Sequence, residues 1–110
     1  MTDEEFERIV KETLDELPDE FKHQLDNVEI VIDDFPEDGS DDLLGLYHGV
    51  PKTARTYSIM IPDKITIYKN IILSVSEDPE KVKQTIKQTV LHEIGHHFGL
   101  SDDELERIEK

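Results

Sequence analysis

The amino-acid sequence predicts an α+β fold in which helices pack on one small sheet. One amphipathic helical pattern lies at the start of the chain, a longer one lies near its end, and short strand-like runs lie between them. Helices and strands segregated along the chain in this order favour an α+β layer over alternating βα units. The chain has 110 residues and shows no internal repeat or interdomain linker. We therefore expect one domain that covers residues 1–110.

The first predicted helix covers residues 3–17. Thr2 and Glu5 have the spacing of a capping box, in which each side chain accepts a hydrogen bond from the other residue's backbone N–H. Pro18 ends the helical pattern and begins a short second helix that carries Phe21 and Leu25. The apolar face of the first helix is formed by Phe6, Ile9, Val10, Thr13, Leu14 and Leu17.

The middle of the chain contains the predicted strands. Apolar side chains recur along short stretches, and turn-forming residues separate these stretches. An acidic segment that includes Pro36 and Gly39 is predicted to be an exposed loop, and Pro62-Asp63 is predicted to be a turn. The run Ile71 to Val75 is too short to be assigned to a strand or a helix. The predicted strands are residues 28–32, 43–48, 57–61 and 65–68.

The long helix near the end of the chain has a clear beginning. Asp78 is a good N-cap residue and Pro79 suits the first helical position. The helix is predicted to run to Phe98, and Gly99 ends it in the left-handed conformation that glycine tolerates. A short last helix should follow, with Ser101 as its cap. Two apolar stripes are predicted on the long helix, one of Val82, Ile86 and Val90 and one of Leu91, Ile94 and Phe98.

The composition excludes several classes of partner. The chain carries 12 Lys and Arg against 27 Asp and Glu, for a net charge of -15. Such a charge repels phosphate backbones and anionic lipid head groups, so we expect neither nucleic acid nor a membrane surface as partner. The absence of cysteine means that a metal site must use His, Asp or Glu. We expect a monomer in the cytoplasm, since no signal segment or membrane span is evident.

The segment HEIGHHFGLSD, residues 92–102, carries the chemistry of the chain. Residues four apart share one face of a helix, so His92 and His96 can offer both imidazoles to one metal ion. Glu93 points away from that metal but can reach a water molecule beside it, as a general base. Zinc lowers the pKa of coordinated water from about 15.7 to near 7. These residues therefore predict a zinc hydrolase site.

A third ligand must come from beyond the helix. Gly99 permits the chain to reverse, and Asp102 lies three residues past that turn. Asp102 can return to the metal as a ligand or act as a first-turn acid of the next helix, with Asp103 as a rival ligand. His97 is rotated about 100° from His96 and should be packed or support the ligands. Gly95 should allow a strand or substrate to approach the helix.

The sequence resembles the zincin metallopeptidases that have the extended motif HExxHxxGxxD. In particular it is similar to a family of small, acidic, single-domain minimal zincins, found mainly in bacteria. Three segments carry the resemblance: HEIGHHFGLSD, LLGLYHGVP at residues 43–51, and PDKITIYKN at residues 62–70. The resemblance covers nearly the whole chain. It implies a zincin-like fold with a mixed sheet of about four strands above the active-site helix.

The resemblance also implies roles for individual residues. His92, His96 and Asp102 would bind zinc, and Glu93 would be the catalytic base. An extended peptide substrate would lie along an edge strand, which we expect in the region of residues 57–68. Only eight residues follow Asp102, so the methionine turn of larger metzincins cannot exist after the motif. The candidates for stabilising the oxyanion of the tetrahedral intermediate are Tyr47, His48 and Tyr57.

Three functions compete at this stage. A zinc-dependent peptidase is the leading hypothesis, because one motif supplies ligands, base and turn. A metal-binding interaction module without strong catalysis is the alternative, because no clear oxyanion group follows the motif. A metal-dependent nuclease ranks last, because the charge of -15 opposes phosphate binding. The ligand set suits zinc, and it also suits ferrous iron.

Overall fold

Helices pack against a small mixed sheet, as the sequence predicts. A computed structural model describes residues 1–22, 25, 28–49 and 63–99. The helices in these ranges are α1 (Asp3–Asp15), α2 (Asp19–Lys22), α3 (Lys69–Leu73) and α4 (Pro79–His97). The strands are β1 (Val28–Asp33), β2 (Gly45–His48) and β3 (Asp63–Tyr68). The predicted strand at 57–61 and the predicted helix after Ser101 lie outside the described residues.

The helix α1 begins where the capping pattern places it. The Glu5 backbone N–H donates to Thr2 Oγ1 at 3.1 Å, and the Glu5 carboxylate accepts in return from Thr2. Phe6, Ile9 and Val10 are buried, so the apolar face of α1 packs into the core as predicted. The contacts of this face are with α4, and Lys87 of α4 forms an ion pair with Glu16 at 3.1 Å. The helix α4 thus packs between α1 and the sheet.

The three strands of the described sheet have the order β1-β3-β2. β1 is parallel to β3, and β2 is antiparallel to β3 on its other side. Ile30 pairs with Ile65 and Tyr47 pairs with the same residue from the opposite side, so these side chains share one face of the sheet. That face carries Ile65 and Ile67, which are completely buried against the helices. The central position of β3 corrects one expectation: residues 63–68 cannot provide a free edge for a peptide.

The helix α4 crosses this buried face over β2 and β3. Its core stripe is Val82, Ile86, Val90 and Ile94, each at most 4% exposed. The predicted second stripe is only partly correct, because Leu91 is 43% exposed. Leu91 lies on the side of α4 that turns away from the sheet, next to the half-buried His92.

The ambiguous run after β3 is mostly helical. α3 covers Lys69–Leu73 and buries Ile71 and Ile72, two successive residues that a half-buried strand would point to opposite faces. Val75, at the end of the predicted run, lies beyond the helix and is 55% exposed. The sharp change from β3 into α3 directs the chain back over the core, so that α4 can begin close to the sheet.

The opposite face of the sheet is covered by the acidic loop. Tyr68 is 6% exposed there, and burial raises the pKa of its phenol, as do the nearby charges of Asp33, Glu37 and Asp38. Within the described part of the chain, no helix is long and apolar enough to cross a bilayer.

Candidate active site

The two histidines of the motif lie together near the end of α4. The ring centroids of His92 and His96 are 4.9 Å apart, and the ring planes are nearly perpendicular at 84°. Both side chains are half-buried, which leaves each imidazole partly open to solvent. This proximity follows from their four-residue spacing on a continuous helix. Two imidazoles therefore lie within reach of one ion, on the side of α4 that borders β2.

Glu93 is buried between α4 and β2. Its side chain is 7% exposed, and its Cγ lies 3.2 Å from the position that a Cβ would take at Gly45. The same absent Cβ would lie 2.9 Å from Thr89 Cγ2 and 3.2 Å from the backbone carbonyl oxygen of Thr66. A side chain at this position of β2 would therefore displace Thr89 and crowd Glu93, whereas glycine fits without a shift. The missing side chain lets the strand approach the helix at the level of the carboxylate.

The sequence predicts that Gly95, on α4, also allows a strand or substrate to approach the helix. Gly95 is buried in α4, as a close contact would require. Among the described contacts, a close approach of strand and helix is found at Gly45 of β2. The role of Gly95 stays a prediction. The sequence LLGLYHG offers Gly45 inside a predicted strand, where glycine often marks a close backbone approach.

A cleft opens beside the HExxH segment at residues 92–96. It has a volume of about 330 Å³ and runs along α4 toward its N-terminus. His92 and Glu93 form one end of this cleft, and Leu43, Leu44 and Asp42 form the wall opposite the helix. The cleft brings a predicted metal ligand and the predicted base to the same solvent-accessible space. A small side chain or a segment of peptide could lie there.

A hydrogen-bonded cluster lies on the other side of the histidines. The Tyr47 hydroxyl donates to Asp63 Oδ2 at 2.5 Å, and His97 Nδ1 lies 2.7 Å from the same oxygen. His97 is 1% exposed and Asp63 is 2% exposed. The expectation that His97 is a packed residue is thus confirmed by its burial. Asp63, which the sequence assigns to a turn, is instead the first residue of β3.

Sequence reasoning missed the importance of Asp63, although a signal was present. Asp63 precedes Ile65 and Ile67 at intervals of two, so the strand periodicity places its carboxylate on the buried face. The assignment of Pro62-Asp63 to a turn removed Asp63 from that count. Once Asp63 is counted with β3, a buried carboxylate near the metal motif requires donors close by.

The oxyanion candidates can now be compared. The Tyr47 hydroxyl is engaged with Asp63. His48 lies at the end of β2 and lines a cavity with Lys64 and Tyr68 on the opposite face of the sheet. Tyr57 lies outside the described residues. In this conformation, neither Tyr47 nor His48 presents a polar hydrogen to the cleft beside Glu93.

The end of α4 has the predicted form. The helix ends at His97, and the backbone N–H of Gly99 donates to the carbonyl oxygen of His96 at 2.9 Å. Gly99 has a φ of 89°, the left-handed conformation that favours glycine. The helix therefore ends directly after the histidines. Asp102 and Asp103, the candidates for the third ligand, lie outside the described residues.

The residues that are described fit part of a zinc site. Two half-buried imidazoles on one helix are suitable donors for zinc, with a buried carboxylate beside them. Within residues 1–22, 25, 28–49 and 63–99, no three His, Asp or Glu side chains are grouped to hold an ion. That finding concerns the described ranges alone, and the predicted third ligand lies beyond them.

Comparison with known proteins identifies the family. Residues 25–110 match the family model described as zincin-like metallopeptidase. The match covers most of the chain, so the chain belongs to the zincin-like metallopeptidase family. No curated protein matches it.

A solved structure has a similar fold. It is described as a conserved hypothetical protein from Thermo thermophilus and is 27% identical to this chain, with a TM-score of 0.60. The similarity covers 89% of this chain and 94% of that one. The zincin family resemblance and the α+β fold, with its helix near the C-terminus, are therefore confirmed.

Proposed function

We propose that this protein is a zinc-dependent peptidase whose general base is Glu93. The observation that carries the proposal is that His92 and Glu93 line one cleft, with His96 at 4.9 Å from His92 between ring centroids. Membership of the zincin-like metallopeptidase family supports the same reaction class. Two of the zinc ligands in this proposal are His92 and His96, and Asp102 is the third.

The chemistry divides between the metal and the chain. Bound zinc would supply a Lewis acid that activates water and polarises the peptide carbonyl. Glu93 would accept the proton of the attacking water and transfer it to the nitrogen of the leaving amine. The burial of Glu93 under β2 restricts its side chain to few rotamers, which holds the carboxylate toward the cleft. The fixed position favours proton transfer, since a base must lie within hydrogen-bond reach of the proton.

The substrate would be an extended peptide that pairs with β2. β2 is hydrogen-bonded to β3 along one side, and within the described sheet its other side is the edge. The strand passes directly over Glu93 at Gly45, so a peptide added at this edge would place its carbonyl groups near the base. Of the region where an edge was expected, β3 is central in the described sheet and residues 57–61 lie outside the described residues, so the proposal uses β2.

The substitution Glu93→Gln tests the mechanism. It removes the base and keeps the size of the side chain, so zinc binding should persist while peptide turnover falls about 10²- to 10⁴-fold. The measurement is hydrolysis of a mixed peptide library by mass spectrometry, together with the zinc content of each purified protein. Glu80→Gln, the same change in the first turn of α4, is the matched control and should retain full activity.

Turnover that persists in Glu93→Gln would contradict the mechanism. A zinc-loaded wild-type protein that cleaves no peptide would instead favour the second candidate function, a metal-binding interaction module. A specific observation supports that candidate: the Tyr47 hydroxyl is held by Asp63, and His48 faces away from the cleft. Loss of partner binding in Asp102→Ala, with no turnover to lose, would favour the module further.

A further inference from the structure

Two side chains outside the proposed ligand set contact the same carboxylate oxygen of a third residue. Tyr47 comes from β2, Asp63 from the first position of β3, and His97 from the last position of α4. The distances to Asp63 Oδ2 are 2.5 Å from the Tyr47 hydroxyl and 2.7 Å from His97 Nδ1. The three elements that surround the candidate site are therefore joined by one buried acceptor. We refer to these three residues as the Asp63 cluster.

The Asp63 cluster places a carboxylate in the core, which has an unfavourable desolvation free energy. A carboxylate removed from water loses several kcal/mol of hydration, which hydrogen bonds in the interior must offset. An aliphatic side chain at this position of β3 would continue the pattern of Ile65 and Ile67 at lower cost. The chain at Gly49 also lies so close that a Cβ there would overlap the Asp63 carboxylate. The local sequence thus accommodates the carboxylate at Gly49 as well, which points to a role beyond stability.

The cluster is in contact with a proposed zinc ligand. The Tyr47 ring lies against His96, with centroids 6.4 Å apart and planes at 26°, and against His97 at 6.1 Å and 66°. Asp63 holds the hydroxyl of that ring and so fixes the surface against which the His96 imidazole rests. His97, the neighbour of His96 in the chain, anchors the last turn of α4 just before Gly99.

We propose that the Asp63 cluster is a positioning network for the metal site. Asp63 and His97 hold the end of α4 against β3, and the Tyr47 ring, oriented by Asp63, limits the rotation of the His96 imidazole. None of the three residues would bind the metal or touch the substrate. The inference rests on the proposed function insofar as His96 is a zinc ligand.

The test compares Asp63→Asn and Tyr47→Phe with wild type. Partners that orient a metal ligand typically contribute about 10- to 100-fold in metal affinity. We expect Asp63→Asn to weaken zinc binding by about 10-fold or more, measured by competition with a chromophoric chelator. Tyr47→Phe keeps the ring and removes only the hydroxyl, so a smaller loss is expected. In both variants the absorption spectrum of bound Co²⁺ should change, because it reports ligand geometry.

The control is Asp33→Asn, which makes the same change at an exposed position of β1. It should leave the zinc affinity and the Co²⁺ spectrum as in wild type. Unchanged zinc affinity and spectrum in folded Asp63→Asn and Tyr47→Phe would overturn the proposal, and the cluster would then be purely structural. Circular dichroism identifies the folded fraction of each variant. Tyr47→Phe removes one oxygen atom, so it keeps the test decisive if Asp63→Asn does not fold.

Hydrogen exchange of the metal-free proteins separates this proposal from the proposed function. Asp63→Asn should raise exchange selectively in residues 94–99 and 45–48, and leave residues 82–90 protected. A uniform increase across α4 would contradict a positioning role. If wild type bound no zinc, the proposed function would fail, whereas the exchange pattern would still decide whether the cluster holds the end of α4.

Discussion

Gly45 determines how closely the edge strand lies over the proposed catalytic base. A larger residue would force Thr89 and Glu93 to shift at this level, since a Cβ would be 2.9 Å from Thr89 Cγ2 and 3.2 Å from Glu93 Cγ. Carbon atoms in well-packed proteins approach to about 3.5–4.0 Å, so an added methyl group must displace strand or helix. The position of the Glu93 side chain therefore depends on the absence of a Cβ at residue 45 of β2.

The substitution Gly45→Ala should reduce stability and activity together. Overpacking of this kind typically costs about 1–3 kcal/mol in the free energy of unfolding, which urea denaturation measures. Turnover should fall further than stability alone explains, because the new methyl group moves the Glu93 side chain. Wild-type kinetics in folded Gly45→Ala would show that the contact with Glu93 has no catalytic importance.

Two variants control this prediction. Thr89→Ser removes the nearest carbon, so Gly45→Ala with Thr89→Ser should recover part of the lost stability. Leu46→Ala changes the next residue of β2, which is 43% exposed on the other face of the sheet. That variant should leave the activity unchanged.

At the residue scale, the sequence was most informative where spacing determines geometry. The helical spacing of His92 and His96 alone predicts their proximity, because four residues span one turn. The Asp63 cluster could not be predicted in the same way. It joins residues from three elements, and nothing in the local sequence near Tyr47 or His97 indicates a common partner. Only the alternation from Asp63 to Ile65 and Ile67 carried a signal.

At the scale of elements, α4 forms the support of the site. Its 19 residues begin at Asp78 as N-cap and end just before Gly99. Both ends were predicted within one residue, because capping chemistry is local. His92 and His96 lie in the last two turns, so an intact helix keeps the two imidazoles on the same face.

The N-cap of α4 should contribute to stability without affecting the distant metal ligands. The Asp78 carboxylate accepts a hydrogen bond from the backbone N–H of Glu80 at 3.0 Å. Asp78→Ala should therefore lower the free energy of unfolding by about 1 kcal/mol, measured by thermal or urea denaturation. Zinc affinity of the folded protein should be unchanged, because the cap lies more than three turns from His92.

Glu77→Ala is the matched control for the cap. It removes an exposed acidic side chain immediately before Asp78 and keeps the cap itself. Its stability should remain within about 0.5 kcal/mol of wild type, as for most surface substitutions. An equal loss in both variants would attribute the effect to charge rather than to capping.

Other features at this scale depended on tertiary structure. The run Ile71 to Val75 has no period that separates strand from helix, and its assignment to α3 follows from packing of Ile71 and Ile72 against the core. The strand order β1-β3-β2 could not be predicted either. The alternation of side chains along a strand indicates which face is buried, but it does not indicate which strands are neighbours. For this reason the expected edge at residues 57–68 was wrong for β3.

At the scale of the whole molecule, negative charge is concentrated before and within the site. Residues 23–51 contain eight Asp and Glu and no Lys or Arg. This segment includes β2 and the wall of the cleft with Asp42. Clefts lined by one sign of charge raise the local concentration of ligands with the opposite charge. The negative electrostatic potential that the composition predicts is therefore strong at the edge of β2, where a peptide is proposed to bind.

The proposed peptidase should accordingly favour basic peptides at low ionic strength. Of two peptides with the same cleavage site, the one with flanking Lys and Arg should show the higher kcat/KM. The difference should shrink as NaCl is raised from about 10 mM to 1 M, because the Debye length falls from about 30 Å to 3 Å. Kinetics at several salt concentrations would check this result. Equal rates for both peptides at low salt would indicate that the charge serves only solubility.

The sheet order has a consequence for how the molecule folds and opens. β1 and β3 are parallel neighbours, although residues 34–62 separate them along the chain and β2 lies within that interval. Closing such a long loop is slow and costs entropy, whereas only residues 49–62 separate β2 from β3. The strand that covers Glu93 pairs with β3 at four positions and β1 pairs with β3 at six, so β2 should be the first of the described strands to detach. Brief detachment of β2 would remove the proposed peptide-binding edge while Ile65, Ile86 and Val90 stay packed, so substrate binding would depend on a local unfolding equilibrium.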